Sequence, residues 1–268
     1  MGCRAGIMAP CLGKSDGADA GPVDVAVCLE DGRDEPANTE ITEEVVRSSH
    51  GHKALVNLQE PAAARAYLDT IESSLGAGEC DFTWVPASSI PGAFRALLVH
   101  EEHLTKVLLD MHGGLDVRVV ESKYLENHIY CRRIFLVSPS GALVANAVLR
   151  VDLLKLPAAV REGVRAENVP FGKLLMDHVA ERCVVLKSLW RARLAPGLLA
   201  AYAPAPGTSP PPEAWGLGEG ESYGRTISIK CDGQEAAQVL EVINPYATLE
   251  ATQGQILSQS PTDATASR

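Results

Sequence analysis

Hydrophobic and polar positions follow two regimes along the chain. From residue 1 to about 55 no period holds, and Gly, Asp, Glu, Ala and Pro dominate, which predicts a flexible or loosely packed segment. Pro61–Leu75 then carries a helical stripe of Leu68, Ile71 and Leu75, opened by a proline and stopped by Gly76. The expectation is a poorly ordered extension over residues 1–80 with one helix, a folded domain over 81–250, and a disordered tail over 251–268 rich in Gln, Ser, Thr and Ala. Within the domain, Phe94, Leu97, Leu98, Leu104, Leu108 and Met111 fall near one face. The pattern predicts a single long helix over Pro91–Met111, ended by Gly113-Gly114.

Period two takes over after that helix. Leu115–Leu125 reads as a strand, and Tyr130–Leu136 as a second. After the Pro139-Ser140-Gly141 turn, Ala142–Val151 returns antiparallel, because so short a connection cannot cross over to a parallel partner. Leu153–Val164 reads as a short helix or helical turn, Asn168–Gly172 as a turn, Lys173–Ala180 as a helix and Val184–Leu189 as a strand. Ala195–Gly220, with its Pro204–Pro212 cluster, reads as a surface excursion. Tyr223–Cys231 and Val239–Ile243 form a hairpin around Asp232-Gly233. The predicted class is α+β, a mostly antiparallel sheet with packed helices.

Two anomalies interrupt these apolar strands. Arg132 shares a strand face with Tyr130, Ile134 and Leu136, and Arg133 shares the other with Cys131 and Phe135. Both faces are apolar, so one arginine must point into apolar surroundings, where an unpaired guanidinium costs several kcal/mol. It needs an anion, either a structural carboxylate or a ligand. The second anomaly is Glu241, a lone carboxylate among Val239, Leu240, Val242 and Ile243.

Composition narrows the classes. A net charge of -10 argues against a nucleic-acid surface and gives no attraction to anionic membranes. No apolar run reaches the length of a membrane span, and no apolar core of a signal peptide follows the first basic residue. The opening Met1-Gly2-Cys3-Arg4 is a poor acylation signal, because Gly6 stands where Ser or Thr is preferred. The seven cysteines are scattered without a Cys-x-x-Cys pair, which suits reduced thiols in a cytoplasmic protein. His50-Gly51-His52 and His100-Glu101-Glu102-His103 lack a convincing ligand set and read as a loop and a charged helix face, so no metal is expected.

The order of these pieces resembles the chorismate pyruvate-lyase family and the wider chorismate lyase-like superfamily. The match rests on His103-Leu104-Thr105-Lys106, Tyr130-Cys131-Arg132-Arg133-Ile134, Val169-Pro170-Phe171-Gly172, and Tyr223-Gly224-Arg225 through Asp232-Gly233 to Leu240-Glu241-Val242. It covers about Pro91 to Pro245. The chain departs from the family pattern with Leu104 for Met, Phe171 for Leu, Arg133 for Glu, and Glu241 one residue out of step.

The resemblance implies an enclosed ligand pocket and a carbon–oxygen lyase that converts chorismate to 4-hydroxybenzoate and pyruvate, the entry to ubiquinone synthesis, without a cofactor. It implies that Arg132 grips the ring carboxylate, that the backbones of Leu104 and Phe171 flank it, and that Glu241 meets the ring hydroxyl, with Arg132 and Glu241 as catalytic residues. The expected partner is a small aromatic acid, with no nucleic acid and no membrane span, and the expected state is a monomer. A binding module of the same fold without catalysis is the alternative, and a plain domain in which Arg132 and Glu241 pair with each other is a third.

Overall fold

A computed structural model describes residues 43–47, 53–76, 78, 80–203 and 217–246. The expectations for residues 1–42, for His50 and His52, for Pro204–Pro212 and for the tail lie outside the described residues. Strands β1 (Glu43–Arg47) and β2 (Lys53–Asn57) pair as an antiparallel ribbon. The main sheet has seven strands: β3 (Cys80–Trp84), β4 (Asp116–Tyr124), β5 (Ile129–Val137), β6 (Leu143–Asp152), β7 (Arg182–Leu194), β8 (Glu221–Cys231) and β9 (Gln234–Ile243). Their order is β3-β7-β8-β9-β6-β5-β4, and every pairing is antiparallel. With helices packed on it, this is the α+β arrangement that the alternating pattern predicts.

Both faces of the sheet are covered, because β5, β6, β8 and β9 are apolar on both sides. On one face Tyr130, Ile134, Leu136, Leu149, Ile227 and Val239 pack under α2 (Gly92–Leu98), α3 (Leu104–His112), α4 (Ala158–Ala166) and α5 (Phe171–His178). On the other face Cys131, Val148, Trp190 and Val242 pack under α1 (Pro61–Glu72) and α6 (Pro196–Tyr202). The Asp232-Gly233 turn between β8 and β9 has both residues at positive φ, 50° and 76°, as a two-residue hairpin that follows strand twist requires.

Three expectations need correction. The helix at Pro61 is not an appendage of an extension: Ala64, Leu68 and Ile71 are fully buried against the sheet, so the folded body begins well before residue 81. The segment after Ala195 is not all excursion, since α6 buries Leu198 and Tyr202. The long helix over Pro91–Met111 is two helices, broken between Val99 and His103. No proline or glycine stands in that break, and its cause is tertiary. An uninterrupted helix engages each carbonyl with the N–H four residues on. Breaking it frees the carbonyls of Leu98, His100 and Glu102 for Arg225, a side chain from β8.

The pairing of β8 with β9 is close enough to require glycine. A Cβ on Gly224 would lie 2.6 Å from the carbonyl oxygen of Glu241, a backbone atom that cannot swing aside. Gly224→Ala is therefore expected to lower stability by about 1–3 kcal/mol, the usual cost of overpacking. Gly92→Ala, where an added methyl meets nothing within 4 Å, is expected to leave it near wild type. Urea unfolding of the two variants side by side checks this.

Candidate functional site

Two of the residues singled out in the strands, Glu241 and Arg132, stand on neighbouring rows of one sheet face. Register places Ile134 opposite Ala147, Ala147 opposite Glu241, and Glu241 opposite Arg225. One row over, Arg132 stands opposite Leu149, which stands opposite Val239. Above these rows lies a cavity walled by His103, Leu104, Thr105, Phe171 and Gly172 from the helix side and by Ile134, Leu136, Ala147, Leu149, Ile229, Val239 and Glu241 from the sheet. Its volume is about 30 Å³, room for one or two waters and not for an aromatic ring.

The two adjacent arginines go to opposite sides of the sheet, and both are buried. Arg133 lies on the α1 face, where Glu72, Asn146 and Val148 line the same small crevice. Burial above all holds the Glu72 carboxyl above its usual value, and the charges of Arg65 and Arg133 offset only part of that, so Arg133 has a structural carboxylate nearby.

Arg132, only 1% exposed, is on the cavity face. Its Nη2 donates to the Val169 carbonyl at 3.4 Å, and its Nη1 is sealed from solvent with no hydrogen-bond partner among the described residues. Burial pushes its pKa below the ordinary arginine value, and Tyr130 and Glu167 offset part of that. Glu167 does not form a direct bridge with it; its carboxylate accepts from the Tyr130 hydroxyl. Burial raises the Glu167 carboxyl, but hydrogen bonds from Tyr130 and Ser122 and the Arg132 charge outweigh that and leave it below its usual value.

Two helices begin at the cavity wall. Leu104 is the first residue of α3 and Phe171 the first of α5, and neither helix has a side-chain cap at its N-terminus. Uncapped first-turn N–H groups carry the positive end of the helix dipole and favour an anion. The two starts touch: a Cβ on Gly172 would lie 2.6 Å from Thr105 Oγ1 and 3.5 Å from His103 Cβ. Glycine at this position lets α5 approach α3 at the cavity wall.

Glu241 is paired, though not with Arg132. Arg225 Nε donates to Glu241 Oε2 at 2.6 Å, with the arginine side chain 0% and the glutamate 10% exposed. Arg225 also donates to the carbonyls of His100 at 2.9 Å, Glu102 at 3.0 Å and Leu98 at 3.4 Å. Its Nη1 lies 3.3 Å from His100 Nδ1, which accepts from the Glu102 N–H at 3.1 Å. Glu241 thus presents one oxygen to Arg225 and still lines the cavity. The plain reading in which Arg132 and Glu241 neutralise each other does not hold.

Leu104, Phe171 and Glu241 all line the cavity, and Arg132 sits on the sheet face beside it. Sequence reasoning gave Arg225 and His103 no site role, quoting Arg225 only within a matching stretch and reading His103 as part of a charged helix face. Arg225 stands in an alternating strand where a surface arginine looks the same, and only its pairing with Glu241 reveals it. His103 is 7% exposed and its Nε2 is buried without a partner among the described residues. Among the described residues no three His, Cys, Asp or Glu side chains gather as metal ligands, and no helix is long and apolar enough to cross a membrane. No family model matches the chain, and no curated protein matches it.

Arg225→Met leaves the Glu241 carboxylate buried without its cation, so a loss of about 3–5 kcal/mol is expected. Adding Glu241→Leu to that variant removes the orphaned charge and should restore part of it, read by urea unfolding. Acid should also weaken the fold through two histidines. Burial, then the Arg225 charge, pushes His100 down to about 3. Burial, then Arg182 and Arg225, pushes His103 down to about 4. Both folded values lie below the ordinary 6.5, so the unfolded chain takes up more protons on acidification. The stabilisation is complete above about pH 6.5 and declines as pH falls toward 4, by up to about 1.4 kcal/mol per pH unit for each group. A urea midpoint that holds steady between pH 7.5 and 5 in wild type would contradict this.

Proposed function

We propose that this protein binds a small aromatic carboxylic acid in the cavity between the sheet and the starts of α3 and α5, and that it acts on chorismate as a carbon–oxygen lyase. The supporting observation is the unpartnered Nη1 of Arg132, on a guanidinium 1% exposed and without a bridging carboxylate. Leaving such a group unpaired is costly, and an incoming carboxylate removes the cost with charge-assisted bonds. The uncapped starts of α3 and α5 add partial positive charge at the same cavity. The apolar walls of Ile134, Leu136, Leu149 and Val239 suit a ring.

In the proposed reaction the C4 hydrogen of chorismate leaves as a proton and the ring C3–O bond to the enolpyruvyl group breaks. The C–H electron pair completes the aromatic ring, and the departing enolpyruvate takes up a proton at carbon to become pyruvate. No oxidant enters the balance. Arg132 anchors and orients the ring through its carboxylate. Glu241 offers Oε1 to the ring hydroxyl while Arg225 holds Oε2 in place. The cavity must widen to admit the substrate, so the ends of α3 and α5 that meet at Thr105 and Gly172 have to part. A site that closes in this way would release an aromatic product slowly.

One observation favours the non-catalytic alternative: Glu241 has a structural use as the counter-ion of Arg225, so its presence does not depend on chemistry. Mixing the protein with chorismate and following pyruvate and 4-hydroxybenzoate separates the two. Release that falls at least about 100-fold in Arg132→Ala supports the lyase. No release, together with 4-hydroxybenzoate binding that Arg132→Ala weakens by roughly 10- to 100-fold, as loss of a charged hydrogen bond predicts, supports the binding module. Unchanged affinity in a folded Arg132→Ala variant sinks the site.

A further inference from the structure

Resting on the aromatic-acid reading, we propose that His103 is a ligand-recognition residue, donating from Nε2 to the hydroxyl oxygen of the bound acid while that hydroxyl donates to Glu241 Oε1. Both side chains wall the same cavity, one from the turn before α3 and the other from β9. A hydroxyl carries one donor and two acceptor positions, so a carboxylate and an imidazole N–H satisfy it together. Arg132 is left for the carboxylate alone.

The geometry supports this role in three ways. His103 is the residue immediately before α3, so its ring stands beside the uncapped helix start, and its side chain makes no capping bond. Nε2 is sealed from solvent with no partner among the described residues, an unfavourable state for a buried polar atom. Gly172 brings the start of α5 against His103 Cβ and Thr105, so the His103 side chain is packed where the two helix starts meet at the cavity wall.

The charged groups around it are Arg182 on β7, Arg225 on β8 and, across the cavity, Glu241. The two cations and burial keep the ring neutral, so it recognises an uncharged oxygen and does not compete with Arg132 for the carboxylate. The ligand class is thereby narrowed to aromatic acids that carry a hydroxyl away from the carboxylate.

Calorimetric titration with benzoate and with 4-hydroxybenzoate tests this, using wild type, His103→Leu and His103→Gln. Gln extends a polar N–H to about the reach of Nε2, whereas Leu fills the space without one. The expected result is that His103→Leu weakens 4-hydroxybenzoate at least about 10-fold and benzoate less than about 2-fold, and that His103→Gln restores 4-hydroxybenzoate to within about 3-fold of wild type, in line with one buried hydrogen bond. Equal loss for both acids would assign His103 a purely structural role and overturn the proposal, as would no loss for either. Failure of wild type to bind any of the acids would overturn the aromatic-acid reading itself, and this inference with it.

Discussion

A fully buried guanidinium must be surrounded by acceptors, and much of the architecture over one face of the sheet follows from meeting that need at Arg225. One carboxylate, Glu241, supplies the charge from the neighbouring strand. The remaining donors require neutral acceptors, and these are the carbonyls of Leu98, His100 and Glu102. An intact helix would have withheld them, so the chain leaves the helix after Leu98 and re-enters it at Leu104. That re-entry creates the helix start at the cavity wall. A buried ion pair of this kind contributes little net stability against an apolar replacement. Here it sets where α3 begins and how Glu241 is oriented.

The adjacent pair Arg132 and Arg133 illustrates how a covered sheet sorts charge. Period two sends one to each face, and the two faces treat them differently. On the α1 side Glu72 is at hand. On the α3 and α5 side Glu167, whose charge reaches Arg132, is engaged by the Tyr130 hydroxyl, and Arg132 Nη1 has no acceptor among the described residues. Polar groups at and beside the cavity are therefore unevenly satisfied: Glu241 is held by a cation, while Arg132 Nη1 and His103 Nε2 have no hydrogen-bond partner among the described residues.

Two close approaches depend on glycine. Without the glycine at 172, α5 could not lie against Thr105 and His103 at the cavity wall. Without the glycine at 224, the β8 and β9 backbones could not come close enough to set Arg225 opposite Glu241. Each glycine is placed by what stands opposite it, not by a turn.

The sequence alone determined what depends on near neighbours. Alternation marked β5, β6, β8 and β9 and their antiparallel sense, short connections marked the hairpins, and Asp232-Gly233 marked a turn that needs positive φ. It also showed that Arg132, Arg133 and Glu241 stand in strands too apolar for them, since period two is a local rule. What each of them pairs with was decided by the tertiary structure, because partners separated by many residues leave no trace in local pattern. Glu241 was legible as an anomaly and Arg225 was not, since only sheet register sets them side by side. The helix break was invisible for the same reason: Val99–His103 is helix-compatible sequence, and the acceptors that hold it open serve a side chain 123 to 127 residues away, with Leu98 at a separation of 127, His100 at 125 and Glu102 at 123. Burial of α1, placement of Leu104 and Phe171 at helix starts, and the unmet donor of His103 likewise arise only when distant elements close over one face of the sheet.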